Sequence, residues 1–217
     1  MKNYIKEITK DLEPGWIDRV IEIRDATIKH GQKHPNFKKV NKAASWASLE
    51  DCLMVYAMVR YYKPLSLLEI GTYIGTVTRV MERAGIDSDG IHPTIWTCDK
   101  NKVYEAEKKS HFMRIRYMNG LSSKVIRSMN KRQVSIDFCF IDGGLKPGDA
   151  KLLKKLYRDK IVFATHDYKP DQKGIRNIKA MKKVTKNPTI YKPTKQGIGY
   201  DVGLDYNLNS SVGVLIA

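Results

Sequence analysis

Leu67-Leu68-Glu69-Ile70-Gly71-Thr72-Tyr73-Ile74-Gly75-Thr76-Val77-Thr78 decides the reading of this chain. It opens, after Lys63-Pro64, as a short apolar run of the kind that forms a buried strand. The run stops at Gly71, a second glycine follows at Gly75, and Val77, Val80 and Met81 then recur at helical spacing. A strand that turns through glycines into a helix puts bare backbone at the carboxyl edge of a sheet, where open α/β sheets bind ligands. A dinucleotide asks for G-x-G-x-x-G, with its pyrophosphate on the helix N-terminus. Here the pattern is E-x-G-x-x-x-G, with Tyr73 at the middle glycine's place and Glu69 ahead of the first. An acid there suits a ligand that carries positive charge and no phosphate.

Upstream, Ser48-Leu49-Glu50-Asp51 reads as a helix start, with Ser48 as cap and acids in the first turn. Leu49, Cys52, Leu53, Tyr56 and Val59 continue that helix to Lys63-Pro64. Residues 1–44 read as a helical addition ahead of a core domain over 45–217. In the addition, Trp16, Val20, Ile23 and Thr27 share one helical face, which ends by Gly31. It serves as an edge helix or as a lid that excludes water from a site.

Downstream, strand and helix alternate. Thr94–Cys98 is the second strand and Asp99 stands at its tip, with a helix expected over 101–109. Met113–Met118 is the third, followed by Asn119-Gly120 and a helix capped by Ser122 or Ser123. Val134–Ile141 is the fourth, ending in Asp142-Gly143-Gly144, with the helix Asp149–Tyr157 after it. Lys160–Thr165 is the fifth, ending in His166-Asp167-Tyr168, and a helix over 174–184 follows. Steady alternation predicts a doubly wound, mostly parallel sheet. After Asn187-Pro188 no helix separates the remaining stretches, Thr189–Tyr191 with Gly199–Leu204 and then Val212–Ile216. They are expected to pair as an antiparallel hairpin, which makes seven strands in all. The polar residues at four strand ends (Glu69 to Gly75, Asp99, Asp142 and His166-Asp167) then meet at one edge.

Composition narrows the class. The 217 residues suit one domain with a helical extension, and the 42% hydrophobic share supports a core. No segment supplies the roughly 18 apolar residues of a membrane span, and the N-terminus lacks an apolar signal region, so a cytoplasmic protein is expected. Cys52, Cys98 and Cys139 form no C-x-x-C pair and read as buried, reduced thiols. The net charge of +16 points to an anionic partner, but the basic residues are spread along the chain and lysine outnumbers arginine 28 to 11.

From about Ser48 to Ala217 the chain resembles the class I S-adenosylmethionine-dependent methyltransferases, closest to the branch that methylates hydroxyls of small molecules and sugars. The resemblance rests on the Glu69-Ile70-Gly71 turn, Phe140-Ile141-Asp142-Gly143-Gly144, Asp149, the His166-Asp167 pair and Gly174. It implies a Rossmann-like methyltransferase fold and methyl transfer from S-adenosylmethionine to a small-molecule acceptor. Glu69, Gly71 and Gly75 would hold the methionine half and Asp99 the ribose, with Thr72, Tyr73 and Lys100 also in the cofactor-binding set. Met118, Asn119 and Gly120 would line the adenine, and Asp142 and Gly143 would lie by the sulfonium and the acceptor. The catalytic set is then Asp142, His166 and Asp167. In many members of the branch, acids at these two strand ends hold a divalent metal, so Asp142 and Asp167 are candidate Mg²⁺ ligands. His166 would act as a ligand for a softer metal or as a base near neutral pH. The chain departs from the branch at Leu145, where a His is usual, and at Tyr168, where catechol-type members have Asn, so no third ligand is assigned.

Alternatives remain within this frame. The polar, basic loops 143–148 and 169–173 suggest an anionic acceptor. An RNA acceptor would use the charge, but Asp167 stands where ribose 2′-O enzymes have lysine, and no N-P-P-Y follows the fourth strand. A non-catalytic cofactor- or RNA-binding subunit would not need Asp142 and Asp167. A dinucleotide oxidoreductase is disfavoured by Tyr73 and Glu69.

Overall fold

In a computed structural model, residues 2–31, 47–100, 114–146, 148–168, 172–193 and 212–217 are described. In chain order the elements are α1 (Lys2–Thr9), α2 (Trp16–Gly31), α3 (Leu49–Tyr62), β1 (Ser66–Ile70), α4 (Thr76–Ile86), β2 (Thr94–Asp99) and β3 (Ile115–Asn119). They continue as α5 (Ser122–Lys131), β4 (Ile136–Ile141), α6 (Asp149–Lys154), β5 (Tyr157–Thr165), α7 (Lys173–Lys182), β6 (Thr189–Tyr191) and β7 (Gly213–Ile216). The helix expected over 101–109 and the stretch Gly199–Leu204 lie outside the described residues.

The strands form one seven-stranded sheet in the order β3-β2-β1-β4-β5-β7-β6. β1 pairs in parallel with β2 and with β4, β2 with β3, and β4 with β5. β7 runs antiparallel to both β5 and β6, so the expected hairpin closes the sheet. Because the central strands are covered on both faces, their sequences are almost continuously apolar. Phe138 through Ile141 of β4 are all buried.

Alternation along the strands divides the core. Leu67, Ile95, Ile115, Phe138, Phe140, Val162 and Val214 face one cluster with α1 to α4, while Leu68, Ile70, Cys139, Ile141, Phe163 and Leu215 face a second with α5 to α7. The three cysteines are free and buried, as expected.

α3 is the element that the sequence undersells. Every residue from Glu50 to Val59 is buried, because α1, α2 and α4 pack against the helix and apolar residues of the sheet join the same cluster. Tyr4, Ile5, Ile8, Trp16 and Val20 join the same cluster, so the described part of the expected 1–44 extension is packed into the domain's core. Residues 32–44, the remainder of that extension, lie outside the described residues. The Ser48 cap is as expected: Asp51 N–H donates to Ser48 Oγ at 3.1 Å, and Ser48 N–H donates to Asp51 Oδ2 at 3.2 Å, a reciprocal capping box.

Two local expectations change. β5 begins at Tyr157, where a register irregularity against β4 takes up the exposed, polar Arg158-Asp159-Lys160 that masks the strand in the sequence. α5 is capped by Leu121 with no side-chain bond, and Ser122 lies inside the helix with its hydroxyl 3.3 Å from Asp149 Oδ2.

Candidate functional site

The parallel strands end together, and backbone bonds close the glycine turn over the ends of β2 and β4. Gly71 and Thr72 N–H groups donate to Cys98 O at 2.8 and 3.1 Å, and Asp142 N–H donates to Ile70 O at 2.8 Å. Tyr73 N–H donates to Asp99 Oδ2 at 2.9 Å, so the β2 acid fixes the turn. Gly71 has a φ of +103°, and a Cβ there would lie 3.2 Å from Asp142 Cβ, so the close approach of turn and β4 needs glycine. Gly75, at φ +84°, starts α4. Asn119 and Gly120 lie beside Asp99 at the end of β3: Gly120 N–H and Asn119 Nδ2 donate to Asp99 O at 2.9 and 3.3 Å. Lys100 follows, exposed.

Glu69 is turned inward. Its Oε2 accepts from the hydroxyls of Thr78 and, at 2.5 Å, Thr97, and the carboxyl is buried. Burial pushes its pKa up to about 7, with the two hydroxyl bonds opposing.

The densest chemistry gathers at the ends of β4 and β5. His166 Nδ1 lies 2.8 Å from Asp142 Oδ1 and 3.2 Å from Asp167 Oδ1, and His166 Nε2 lies 3.0 Å from Asp51 Oδ2. Lys173 Nζ lies 2.9 Å from Asp142 Oδ1 and 3.1 Å from Asp167 Oδ2, and also donates to the Asp142 carbonyl. Burial disfavours the imidazolium, but the hydrogen bonds it donates to Asp142 and Asp51 outweigh it and hold His166 up to about 10. Both ring nitrogens therefore donate at neutral pH, and neither keeps a lone pair for a proton or a metal. For Asp142, burial favours the neutral acid, but His166 and Lys173 overcome that and hold its pKa below the ordinary value.

Sequence reading missed three members of this arrangement. Asp51 carries a visible signal as a helix cap, but its contact with His166 depends on the first turn of α3 reaching the residue that follows β5. Lys173 reads as one lysine among many. Asn177 of α7 is buried; its Nδ2 donates to Gly143 O at 2.8 Å and Leu145 N–H donates to its Oδ1 at 3.0 Å, tying the loop after β4 to α7. Gly174 sets the spacing: a Cβ there would lie 2.3 Å from His166 O.

No known family description matches the chain, and no curated protein matches it in sequence. Solved structures do. The O-methyltransferase TomG from Streptomyces achromogenes, involved in tomaymycin synthesis and solved with S-adenosylmethionine, superposes with a TM-score of 0.61 over 88% of each chain at 15% identity. An O-methyltransferase from Bacillus cereus, solved with S-adenosylhomocysteine, gives 0.58 at 13% identity, covering 99% of this chain and 95% of that one. A methyltransferase from Geobacter sulfurreducens gives 0.57 at 10% identity over 88% of each. The fold is that of the class I methyltransferases.

The residues present fit the cofactor that this fold accommodates in those neighbours. The turn between β1 and α4 offers bare backbone, and Thr76 Oγ1, at the start of α4, is buried with no hydrogen-bond partner among the described residues. A divalent metal fits less well. Asp142, His166 and Asp167 each offer a ligand atom within 4.8 Å of the others, yet the imidazole is already held by two sides and both carboxylates accept from Lys173. A divalent ion about 4 Å from that ammonium would meet a repulsion of roughly 8 kcal/mol at an effective dielectric of about 20.

Proposed function

We propose that this chain is an S-adenosylmethionine-dependent O-methyltransferase acting on a hydroxyl of a small molecule or sugar. The observation that carries this reading is the meeting of the Gly71–Gly75 turn, Asp99 and the Asp142–His166–Asp167 cluster at the carboxyl edge of a class I methyltransferase fold. When bound, the cofactor supplies a methyl group already activated by its sulfonium.

The chain's own residues bind and align. The turn, with Gly71, Thr72, Tyr73 and Gly75, receives the methionine half, and Glu69 supports it from beneath through Thr78 and Thr97. Asp99 and Lys100 serve the ribose, Asn119 and Gly120 the adenine, and Gly143 brings the β4 loop close. Asp142 and Asp167, each about 30% exposed, face the acceptor, where one of the two carboxylates would take the single proton that the hydroxyl gives up when the methyl group passes from sulfonium to oxygen. A carboxylate is a weak base, so most of the rate comes from holding the acceptor oxygen in line, which is worth roughly 7–11 kcal/mol. His166, charged at neutral pH, sets the position and charge of the two acids. The Mg²⁺ expected from the resemblance has no step here, because Lys173 and His166 already supply positive charge to both acids.

A groove of about 460 Å³ between α6 and α7 supports an anionic acceptor: Lys146, Lys151, Arg176, Lys179 and Lys183 line it. None of the five forms an ion pair among the described residues. The same groove favours RNA as the second reading, in which binding falls steeply with salt.

Calorimetric titration with S-adenosylmethionine and S-adenosylhomocysteine tests the proposal. Micromolar binding that Asp99→Ala abolishes supports it and justifies a screen of hydroxyl acceptors. Absence of binding by the folded protein sinks it.

A further inference from the structure

Two carboxylates and an imidazole within 4.8 Å would ordinarily mark a cation site. Here the space between the carboxylates already has an occupant. An ammonium has three donors, and Lys173 Nζ faces three oxygens: Asp142 Oδ1 at 2.9 Å, Asp167 Oδ2 at 3.1 Å and the Asp142 carbonyl. We propose that Lys173 is the resident cation of this site, a positioning residue that bridges Asp142 and Asp167 in place of a divalent metal and leaves the protein without a metal site there.

Three further observations carry this. Backbone geometry brings the lysine in: Gly174 N–H donates to Asp167 O at 3.1 Å, and the missing Cβ lets the start of α7 press onto the His166–Asp167 turn. Asp167 itself sits at φ +57°, in the left-handed region, and its Oδ2 lies 3.1 Å from Lys173 Nζ. Charge agrees with this. In the ion pairs among the described residues, the carboxylates of Asp51, Asp142 and Asp167 face the two cationic side chains of His166 and Lys173. A divalent ion added beside Lys173 would put a third cation against the same carboxylates. Finally, His166 Nε2 lies 3.0 Å from Asp51 Oδ2 and His166 Nδ1 lies 2.8 Å from Asp142 Oδ1, so the third candidate ligand would have to leave one of these contacts to reach a metal.

The inference deepens the methyltransferase reading, and its role in catalysis rests on that reading, but its test needs no methyl donor. Mn²⁺ is the probe, followed by electron paramagnetic resonance in the full chain and in Asp142→Asn, Lys173→Met, Lys173→Arg and the double variant Lys173→Met/Asp142→Asn. The wild type and Lys173→Arg should show no Mn²⁺ binding that depends on Asp142, up to millimolar metal. Lys173→Met, checked for folding by thermal melting, should gain one site at least tenfold tighter than any in the wild type, and the double variant should lose it. One Mn²⁺ bound by the wild type below millimolar concentration and removed by Asp142→Asn overturns the proposal, even if no Lys173 variant folds. So does a folded Lys173→Met protein that binds Mn²⁺ no better than its parent.

Discussion

The charge on His166 has a measurable consequence for stability. Its pKa is held up to about 10, against 6.5 for the free side chain, because the hydrogen bonds it donates to Asp142 and Asp51 outweigh the penalty of burial. Asp167 also faces the ring, and the like charge of Lys173 shares Asp142 Oδ1 with the ring and contacts the other oxygen of Asp167. A folded-state pKa raised above the unfolded one gives stability that is complete below pH 6.5 and is lost as the pH rises toward 10. Each pH unit inside that window removes about 1.4 kcal/mol, for a total of roughly 5 kcal/mol. The part between pH 7 and 9 is about 3 kcal/mol; Glu69, which titrates at about 7, still contributes at the lower end of this window, and comparison with a variant that keeps Glu69 removes its share. Urea unfolding at pH 7, 8 and 9 would measure it. The parent should lose stability about 1.4 kcal/mol per pH unit faster than His166→Gln, which cannot titrate. Asp51→Asn should be less stable at pH 7 and fall less steeply, because only the Nδ1 side of the ring still faces carboxylates. Parallel curves for the parent and His166→Gln across this window would refute the charged-histidine reasoning.

Glu69 gives a second pH signature. Burial lifts it to about 7, so its folded state also favours the proton, and the associated stability is lost between pH 4.5 and 7. Glu69→Gln should therefore gain on the parent as the pH rises through that range, by about 3 kcal/mol at pH 8; a difference that does not vary with pH in urea titrations would contradict this. Gly174→Ala places a Cβ 2.3 Å from His166 O and should cost about 1–3 kcal/mol by overpacking and weaken S-adenosylhomocysteine binding in calorimetry. Gly144→Ala, with nothing within 4 Å of its Cβ, is the matched control and should melt like the parent.

Much of the fold is written locally. Apolar runs that stop at Gly71, Asp99, Asp142 and His166 predict the strands and which of their ends carry polar groups, because a strand buried on both faces must be apolar along its length. The Ser48–Asp51 capping box is equally local, since its partners stand three residues apart. β5 shows the limit: its polar start, Arg158 to Lys160, looks like a loop, and the strand is seen to begin before it only because Tyr157 pairs with Ile136 of β4 across the register irregularity.

For the candidate site, the sequence by itself determined the glycine turn and the acids at the strand ends, because each follows from the period and termination of its own element. Tertiary structure alone decided what those acids do. Asp51 and His166 are far apart in the chain and meet only because the first turn of α3 reaches the residue that follows β5. Lys173 becomes a bridging cation only because Gly174 lets α7 approach the β5 turn. Glu69 faces inward because Thr78 and Thr97, from α4 and β2, close over it. Charge state and ligand capacity depend on what surrounds a group in space, and the sheet's crossovers bring those surroundings from distant parts of the chain.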